Sequence, residues 1–201
     1  MTVDRVQGGA SWRAGDVAKR VLDVVAALAV LVLLSPLMAV VAVLVRRSSP
    51  GGAIFAQTRV GRFERPFTCY KFRTMAVGVP NAGTHEAQAS WITPVGRKLR
   101  AYKLDELPQL VNVLRGDMSL VGPRPCLPNQ SEVIEARRAR GVFDIRPGIT
   151  GIAQLAAVDM STPERLAELD RKYLDTRSLL GDLRILAATA LGRGSGDVAR
   201  Y

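Results

Sequence analysis

The stretch from Lys103 to Pro125, "KLDELPQLVNVLRGDMSLVGPRP", sets two carboxylates side by side, Asp105 and Glu106, and ends in a proline-rich loop that carries Arg124. Two roles suit such a pair. Beside Pro108, an acid in the first turn of a helix gains from the positive end of the helix dipole, which is the ordinary explanation. An ionised carboxylate there is also a nucleophile, and carboxylates form acyl-phosphate intermediates in phosphoryl transfer. A divalent metal would then be needed to shield one anion approaching another. Three features favour the second role: Arg97, Lys98, Arg100 and Lys103 precede the pair, "GPRP" follows it, and the chain has a long apolar segment near its start.

The chemistry has to sit in a chain of 201 residues, enough for one domain with a sizeable core, with or without an appendage. Lys and Arg number 28 against 18 Asp and Glu, a net charge of +10, so the partners are expected to be anionic. Nucleic acid is disfavoured because aromatics make up only 5% and single-stranded sites need stacking platforms. Cys69 and Cys126 have no metal-type spacing and read as free thiols in a reducing compartment. His85 is the sole histidine, which excludes a multi-histidine metal site and reads as an exposed loop residue.

From Val24 to Val45 no residue carries a formal charge, a length that as a helix could cross a hydrocarbon core of about 30 Å. Two features oppose a simple span. Ser35-Pro36 lies at the middle, where proline removes a backbone hydrogen bond, and basic residues flank both ends: Lys19 and Arg20 before, Arg46 and Arg47 after. The positive-inside rule would hold both flanks in the cytoplasm. The expectation is a re-entrant helix–break–helix, turning at Ser35 and Pro36.

Beyond a turn at "SSPGG", two short strands are expected at Ile54–Arg59 and Pro66–Phe72, joined as a hairpin. Residues 76–93 read as a polar loop. Helical spacing recurs at Gly96–Tyr102, Pro108–Leu114 and near Glu132–Arg140, and "STPERLAELDRKYLDT" begins with Ser161 or Thr162 as cap and Pro163 in the first turn. "VGPRPCLP" and "DIRPGITGIAQL" read as loops, and "DLRILAATAL" as a last apolar helix. The fold class is α+β and predominantly helical. The segments expected are a tail (1–16), the membrane helix (17–47), a compact domain at the membrane surface with a small β-hairpin (48–193), which would carry any catalysis, and a second tail (194–201). Arg46, Arg47, Arg59, Arg62, Arg65, Lys71 and Arg73, against Glu64 alone, form a basic surface for anionic lipid headgroups.

"YKFRTM" (70–75), "LDELPQLVNVLRGDMSLVGPRP" (104–125) and "RPGITGIAQ" (146–154) resemble the bacterial sugar transferase family, the monotopic phosphoglycosyl transferases that begin lipid-linked glycan assembly. The resemblance runs from about Lys19 to Leu191 and includes the Ser-Pro break with a basic pair before it. It implies that Asp105 attacks the β-phosphate of a UDP-sugar, releasing UMP and leaving a phosphosugar on the carboxylate. A polyprenyl phosphate, undecaprenyl phosphate by resemblance, then takes that group. Mg²⁺ is the implied cofactor, with Asp105 and Glu106 as its ligands. Glu106 orients the site, binds metal or manages protons, a choice left open. Arg124 is expected to contact the nucleotide-sugar, with Lys71, Arg73 and Arg100 on the phosphate side; Arg73 and Arg100 serve lipid headgroups equally well. Arg146 and Asp170 complete the substrate-binding candidates, with alternatives as a loop brace and as one charge on an exposed helix face. Asp117 is expected to stabilise a turn.

The implied location is the bacterial cytoplasmic (inner) membrane, with the catalytic domain facing the cytoplasm. Membrane lipids are the further partners, no nucleic acid is expected, and self-association is left open. Many relatives continue "AQ" with a valine and an Asn-Gly-Arg-like segment, whereas this chain reads "LAAVDMSTPERLAELD", so the sugar is not fixed. The competing reading is a non-catalytic, membrane-anchored basic module that binds anionic lipid or nucleic acid. Low aromatic content and the ordered "DELPQL…GPRP" block speak against it.

Overall fold

A computed structural model describes residues 14–79 and 88–192. His85 and most of both tails lie outside these residues. The first element, α1, runs Ala14–Ser48 as one helix of 35 residues, about 52 Å at ~1.5 Å per residue. It is long and apolar enough to cross a membrane, and little of it is buried. Val25, Leu28, Val32, Leu33, Leu37 and Val40 are all exposed.

The helix is uninterrupted through Ser35-Pro36, where a break was expected. Pro36 cannot donate to the carbonyl of Val32, four residues back, but Ser35 Oγ does so at 2.9 Å. The serine before the proline thus satisfies the acceptor that the proline would strand, and the helix carries through.

Both ends of α1 are fastened to the same body. Near its start, Asp23 is buried and accepts from Ser119 Oγ (2.8 Å) and from the Leu120 backbone N–H (3.2 Å). Lys19 Nζ reaches Asp182 Oδ2 at 2.7 Å, and Tyr173 Oη donates to the other oxygen of Asp182 at 2.8 Å. At the far end the buried Arg73 guanidinium donates to the backbone carbonyls of Ser49 (2.9 Å) and Pro50. Val41 and Val45 pack there on Phe72 and Leu99. Fully burying such aliphatic side chains contributes roughly 1.5–3 kcal/mol each.

The hairpin forms as expected: β1 (Ile54–Val60) pairs antiparallel with β2 (Pro66–Phe72), Ile54 opposite Phe72. Next, α2 (Pro94–Ala101) is capped by Thr93, whose Oγ1 accepts from Gly96 N–H at 2.9 Å. Then α3 (Gln109–Arg115) ends at Gly116 in the left-handed region, φ 91°. Asn112, fully buried on α3, ties that helix to β2: Nδ2 donates to Thr68 O (2.6 Å) and Oδ1 accepts from Tyr70 N–H (3.1 Å). Nδ2 also reaches Asp117 Oδ2 at 3.2 Å, so Asp117 steadies the turn after α3.

The two segments read as loops instead contribute a pair of strands. β3 (Ser119–Val121) and β4 (Gly148–Thr150) are parallel, Ser119 opposite Gly148. Three-residue strands are too short for alternation to register. Glycine makes the approach possible: a Cβ on Gly148 would lie 2.1 Å from Gly122 N. The remaining helices are α4 (Ser131–Ala139), α5 (Ile152–Leu155), α6 (Pro163–Thr176) and α7 (Leu179–Ala190). The main core gathers Ala27 of α1, Cys69, Leu110, Val113, Met118, Leu120, Val121, Tyr173 and Ile185. Both cysteines are buried and free, and burial pushes both thiols up. The outcome is mostly helical, with the small hairpin expected and a second strand pair that was not.

Candidate active site

The chain leaves α2 through Lys103, whose left-handed backbone (φ 55°) turns it into a 3-10 turn, Leu104–Glu106. This turn presents both carboxylates to a cavity of about 610 Å³, within the size range of small-molecule sites. The start of α3 is held by Pro108 with no side-chain cap, so Asp105 does not cap it. Asp105 is buried apart from its face on the cavity. No hydrogen bond or ion pair among the described residues engages its carboxylate.

Glu106 is the opposite case. Its Oε1 accepts from Lys71 Nζ at 3.1 Å and from Arg124 Nη2 at 2.8 Å. Burial works to raise its carboxyl, but the charges and hydrogen bonds of Arg124 and Lys71 outweigh that and hold it at about 2. Burial pushes Asp105 up, the adjacent Glu106 adds to this, and Lys71, Arg100 and Arg124 oppose it. Lys71 is lowered by burial and by Arg124, partly offset by the two acids. One carboxylate is therefore locked as a permanent anion between cations. The other is unengaged and more basic than an ordinary aspartate.

Of the sequence candidates, Asp105, Glu106, Lys71, Arg73, Arg100 and Arg124 all line this one cavity. Arg100 Nε donates to Thr74 Oγ1 (3.0 Å), and Arg73 is largely occupied in closing the end of α1. Arg146 and Asp170 do not line it. Arg146 Nε donates to Gly116 O at 2.7 Å, bracing the loop after α3. Asp170 is buried, which corrects its reading as a charge on an exposed helix face, and pairs with fully buried Arg137 at 2.7 Å. Arg137 Nη1 in turn donates to the backbone carbonyl of Arg124 at 2.8 Å, so this pair holds the Arg124 loop from behind. Removing either partner of a buried pair typically costs about 3–5 kcal/mol.

Arg59 escaped the sequence reading as a site residue. It is buried in the cavity wall, and its guanidinium is held by neutral groups, Gln57 Oε1 (2.5 and 2.9 Å) and Pro125 O (3.0 Å). Burial first, then Arg124, lowers it to about 10. The available signal was its two-residue spacing from Gln57 on a strand, which puts both on the inward face. Thr150, Gln154 and Thr189 also line the cavity and carried no sequence signal of their own.

Among the described residues of the lining, Arg59, Lys71, Arg73, Arg100, Lys103 and Arg124 stand against two acids, Asp105 and Glu106, a strongly cationic wall suited to phosphate groups. Among the described residues no cluster of three acidic, histidine or cysteine side chains could cage a metal. Two neighbouring carboxylates fit Mg²⁺, which is commonly held by one or two carboxylates together with substrate phosphates.

The family model for bacterial sugar transferases matches residues 14–193, from the start of α1 to just beyond α7. The chain belongs to the bacterial sugar transferase family. Membership makes it an enzyme, and the matched span covers every residue of the cavity. A UDP-glucose:undecaprenyl-phosphate glucose-1-phosphate transferase of Caulobacter vibrioides is 43% identical, over 87% of this chain and 68% of that protein. A UDP-N-acetylgalactosamine-undecaprenyl-phosphate N-acetylgalactosaminephosphotransferase of Aeromonas hydrophila is 39% identical, over 85% of this chain but 42% of its own length. An exopolysaccharide production protein of Sinorhizobium fredii is 36% identical over 93% and 92%.

Proposed function

We propose that this bacterial sugar transferase moves a sugar-1-phosphate from a UDP-sugar to a polyprenyl phosphate, in two displacements at one phosphorus. The observation that carries the reading is Asp105: an unengaged carboxylate in a cation-walled cavity, beside a helix built for lipid. The Asp105 carboxylate attacks the β-phosphorus, and the bond to the bridging oxygen breaks. UMP leaves with the electron pair, and its negative charge develops among Arg124, Lys71 and their neighbours. The phosphate oxygen of the polyprenyl phosphate then attacks the same phosphorus, giving polyprenyl-diphosphate-sugar and restoring the carboxylate. Asp105 and Glu106 would hold Mg²⁺ together with substrate phosphate oxygens, and the ion would neutralise charge between nucleophile and diphosphate. Incubation of the purified protein with UDP-glucose, UDP-galactose and UDP-N-acetylgalactosamine, with undecaprenyl phosphate in detergent, tests the reading. UMP and a lipid-linked sugar should form from at least one, and silence with all three would end it.

The same contacts support a re-entrant arrangement in the membrane. Asp182 holds the start of α1 and Arg73 its end, and both belong to one body rich in charge. Such a body stays on one side of a bilayer, so both ends of α1 would lie on that side and the exposed apolar middle would dip into one leaflet. The flanking Lys19, Arg20, Arg46 and Arg47 make that side the cytoplasm of the bacterial inner membrane. Cysteines introduced one at a time in residues 1–12 should resist a membrane-impermeant maleimide in intact cells. They should label once the cells are opened. Labelling from outside would mean a true span.

A further inference from the structure

Between Pro123 and Leu127 the loop that carries Arg124 has no regular secondary structure, and Pro123 and Pro125 deprive it of two N–H donors. Its carbonyls from Pro123 to Cys126 are all taken nonetheless. Pro123 O accepts from the Gly148 N–H (2.8 Å), Arg124 O from Arg137 Nη1 (2.8 Å), Pro125 O from Arg59 Nη1 (3.0 Å) and Cys126 O from the Val60 N–H (2.9 Å). Three elements, β4, α4 and β1, thus hold four consecutive acceptors. They fix the backbone on both sides of Arg124, so the side chain that reaches Glu106 Oε1 at 2.8 Å leaves from a set position. Two of the four donors are buried guanidiniums, each with its own tether. Gln57 Oε1 holds Arg59, which lines the cavity, while Asp170 of α6 holds Arg137, Nε to Oδ2 at 2.9 Å. Arg137 is 1% exposed and Asp170 3%, and neither lines the cavity.

We propose that Arg137 and Asp170 are positioning residues for the transfer reaction: acting through the carbonyl of Arg124, they set its guanidinium where the charge of the leaving UMP develops. The inference rests on the reaction proposed above. Stability alone does not account for the pair. Apolar residues of similar volume often match or exceed a buried ion pair in stability, so burying one gains little for the fold. What an apolar pair cannot supply is a directed donor. Arg137 supplies one from a rigid planar fork, and Asp170 fixes another edge of that fork, so the Nη1 N–H is left with one direction. Direction matters here, because misplacing a group by 1 Å can cost about 10²-fold in rate even when the altered residue is far from the chemistry. Lys71, the other partner of Glu106, needs no such brace, since it stands on β2 within the hairpin, opposite Phe55. Arg124 stands on a loop, and a side chain there is placed only as precisely as the loop is held.

The test replaces the whole pair, Arg137→Met together with Asp170→Leu, so that no buried charge is left unpaired and the fold is kept. UMP release is followed in a single turnover, with enzyme in excess over the best of the three UDP-sugars above, in the wild-type and Arg124→Ala backgrounds. We expect the double replacement to slow UMP release about 10-fold or more at a near wild-type melting temperature, because Arg124 O has lost its donor. In the Arg124→Ala background the same replacement should slow it less than about threefold, since residues that act through one another are not additive. A wild-type rate in the folded double variant would overturn the proposal. So would an equal loss in both backgrounds, which would place the role of the pair outside Arg124. Should the double replacement not fold, Asp170→Asn keeps the volume and an acceptor while removing the charge. It is read by the same two comparisons, at a temperature where it is fully folded. If the wild-type protein released UMP from no sugar nucleotide, the reaction itself would be refuted, a result distinct from either.

Discussion

Asp105→Asn should abolish sugar-phosphate transfer, by at least about 10³-fold, while the protein stays folded and membrane-bound. The amide is nearly the same size but cannot attack phosphorus. If Asp105 served only to cap a helix, asparagine would replace it almost without loss, because the two cap about equally well and losing such a cap costs only ~1 kcal/mol. Stability gives an independent check of sign. A carboxyl pushed up in the folded state, by burial and by Glu106, is disfavoured as an anion there, so its ionisation weakens the fold as pH rises past the ordinary aspartate range. Removing that charge should leave the melting temperature at pH 7 unchanged or higher. The covalent route adds a positive signature in the wild type. UMP should appear in an amount equal to enzyme when no polyprenyl phosphate is present, with ping-pong kinetics, and the phosphosugar should be recovered on a peptide containing Asp105. Sequential kinetics with no adduct would make Asp105 a metal ligand at most. A near-wild-type Asp105→Asn enzyme would remove even that role.

The sequence reached different depths at different places, for physical reasons. The acid pair, Lys71 and Arg124 were legible because chemistry restricts residue type, and the three motifs sit in order along the chain. That they share one cavity was not legible. It depends on Asn112 pinning α3 to β2 and on the β3–β4 pair drawing "GPRP" against "RPGITG", contacts between residues up to 44 positions apart in the first case. Arg59 was filed with the surface cations because a strand of seven residues shows its inward face only weakly. Asp170 was read as a substrate-binding candidate, or else a surface charge, because its partner, Arg137, lies 33 positions away on another helix. At Ser35-Pro36 a local rule was applied without its local remedy, since the serine hydroxyl restores the bond that proline deletes.

Glu106→Gln should separate binding from chemistry. Glu106 neutralises Lys71 and Arg124 while both point at the place where phosphate must sit. With a neutral amide there, the charges of the two cations are left to the ligand, so UDP without Mg²⁺ should bind as tightly as before or more tightly. Asp105 changes in the other direction. Its carboxyl loses the anion beside it but keeps the pull of Lys71, Arg100 and Arg124, so it becomes less basic and a weaker nucleophile. The amide also holds Lys71 and Arg124 less firmly where the leaving group's charge develops, and loss of preorganised donors of that kind commonly costs about 10²–10³ in rate. Single-turnover UMP release should therefore slow by about that factor, with the acid limb of its pH profile moved to lower pH. Glu106→Ala should be worse still, because it also leaves Lys71 and Arg124 without a hydrogen-bond acceptor between them. Weaker UDP binding with an unchanged single-turnover rate would show that Glu106 serves affinity, and the separation between the unengaged acid and the clamped one would fail.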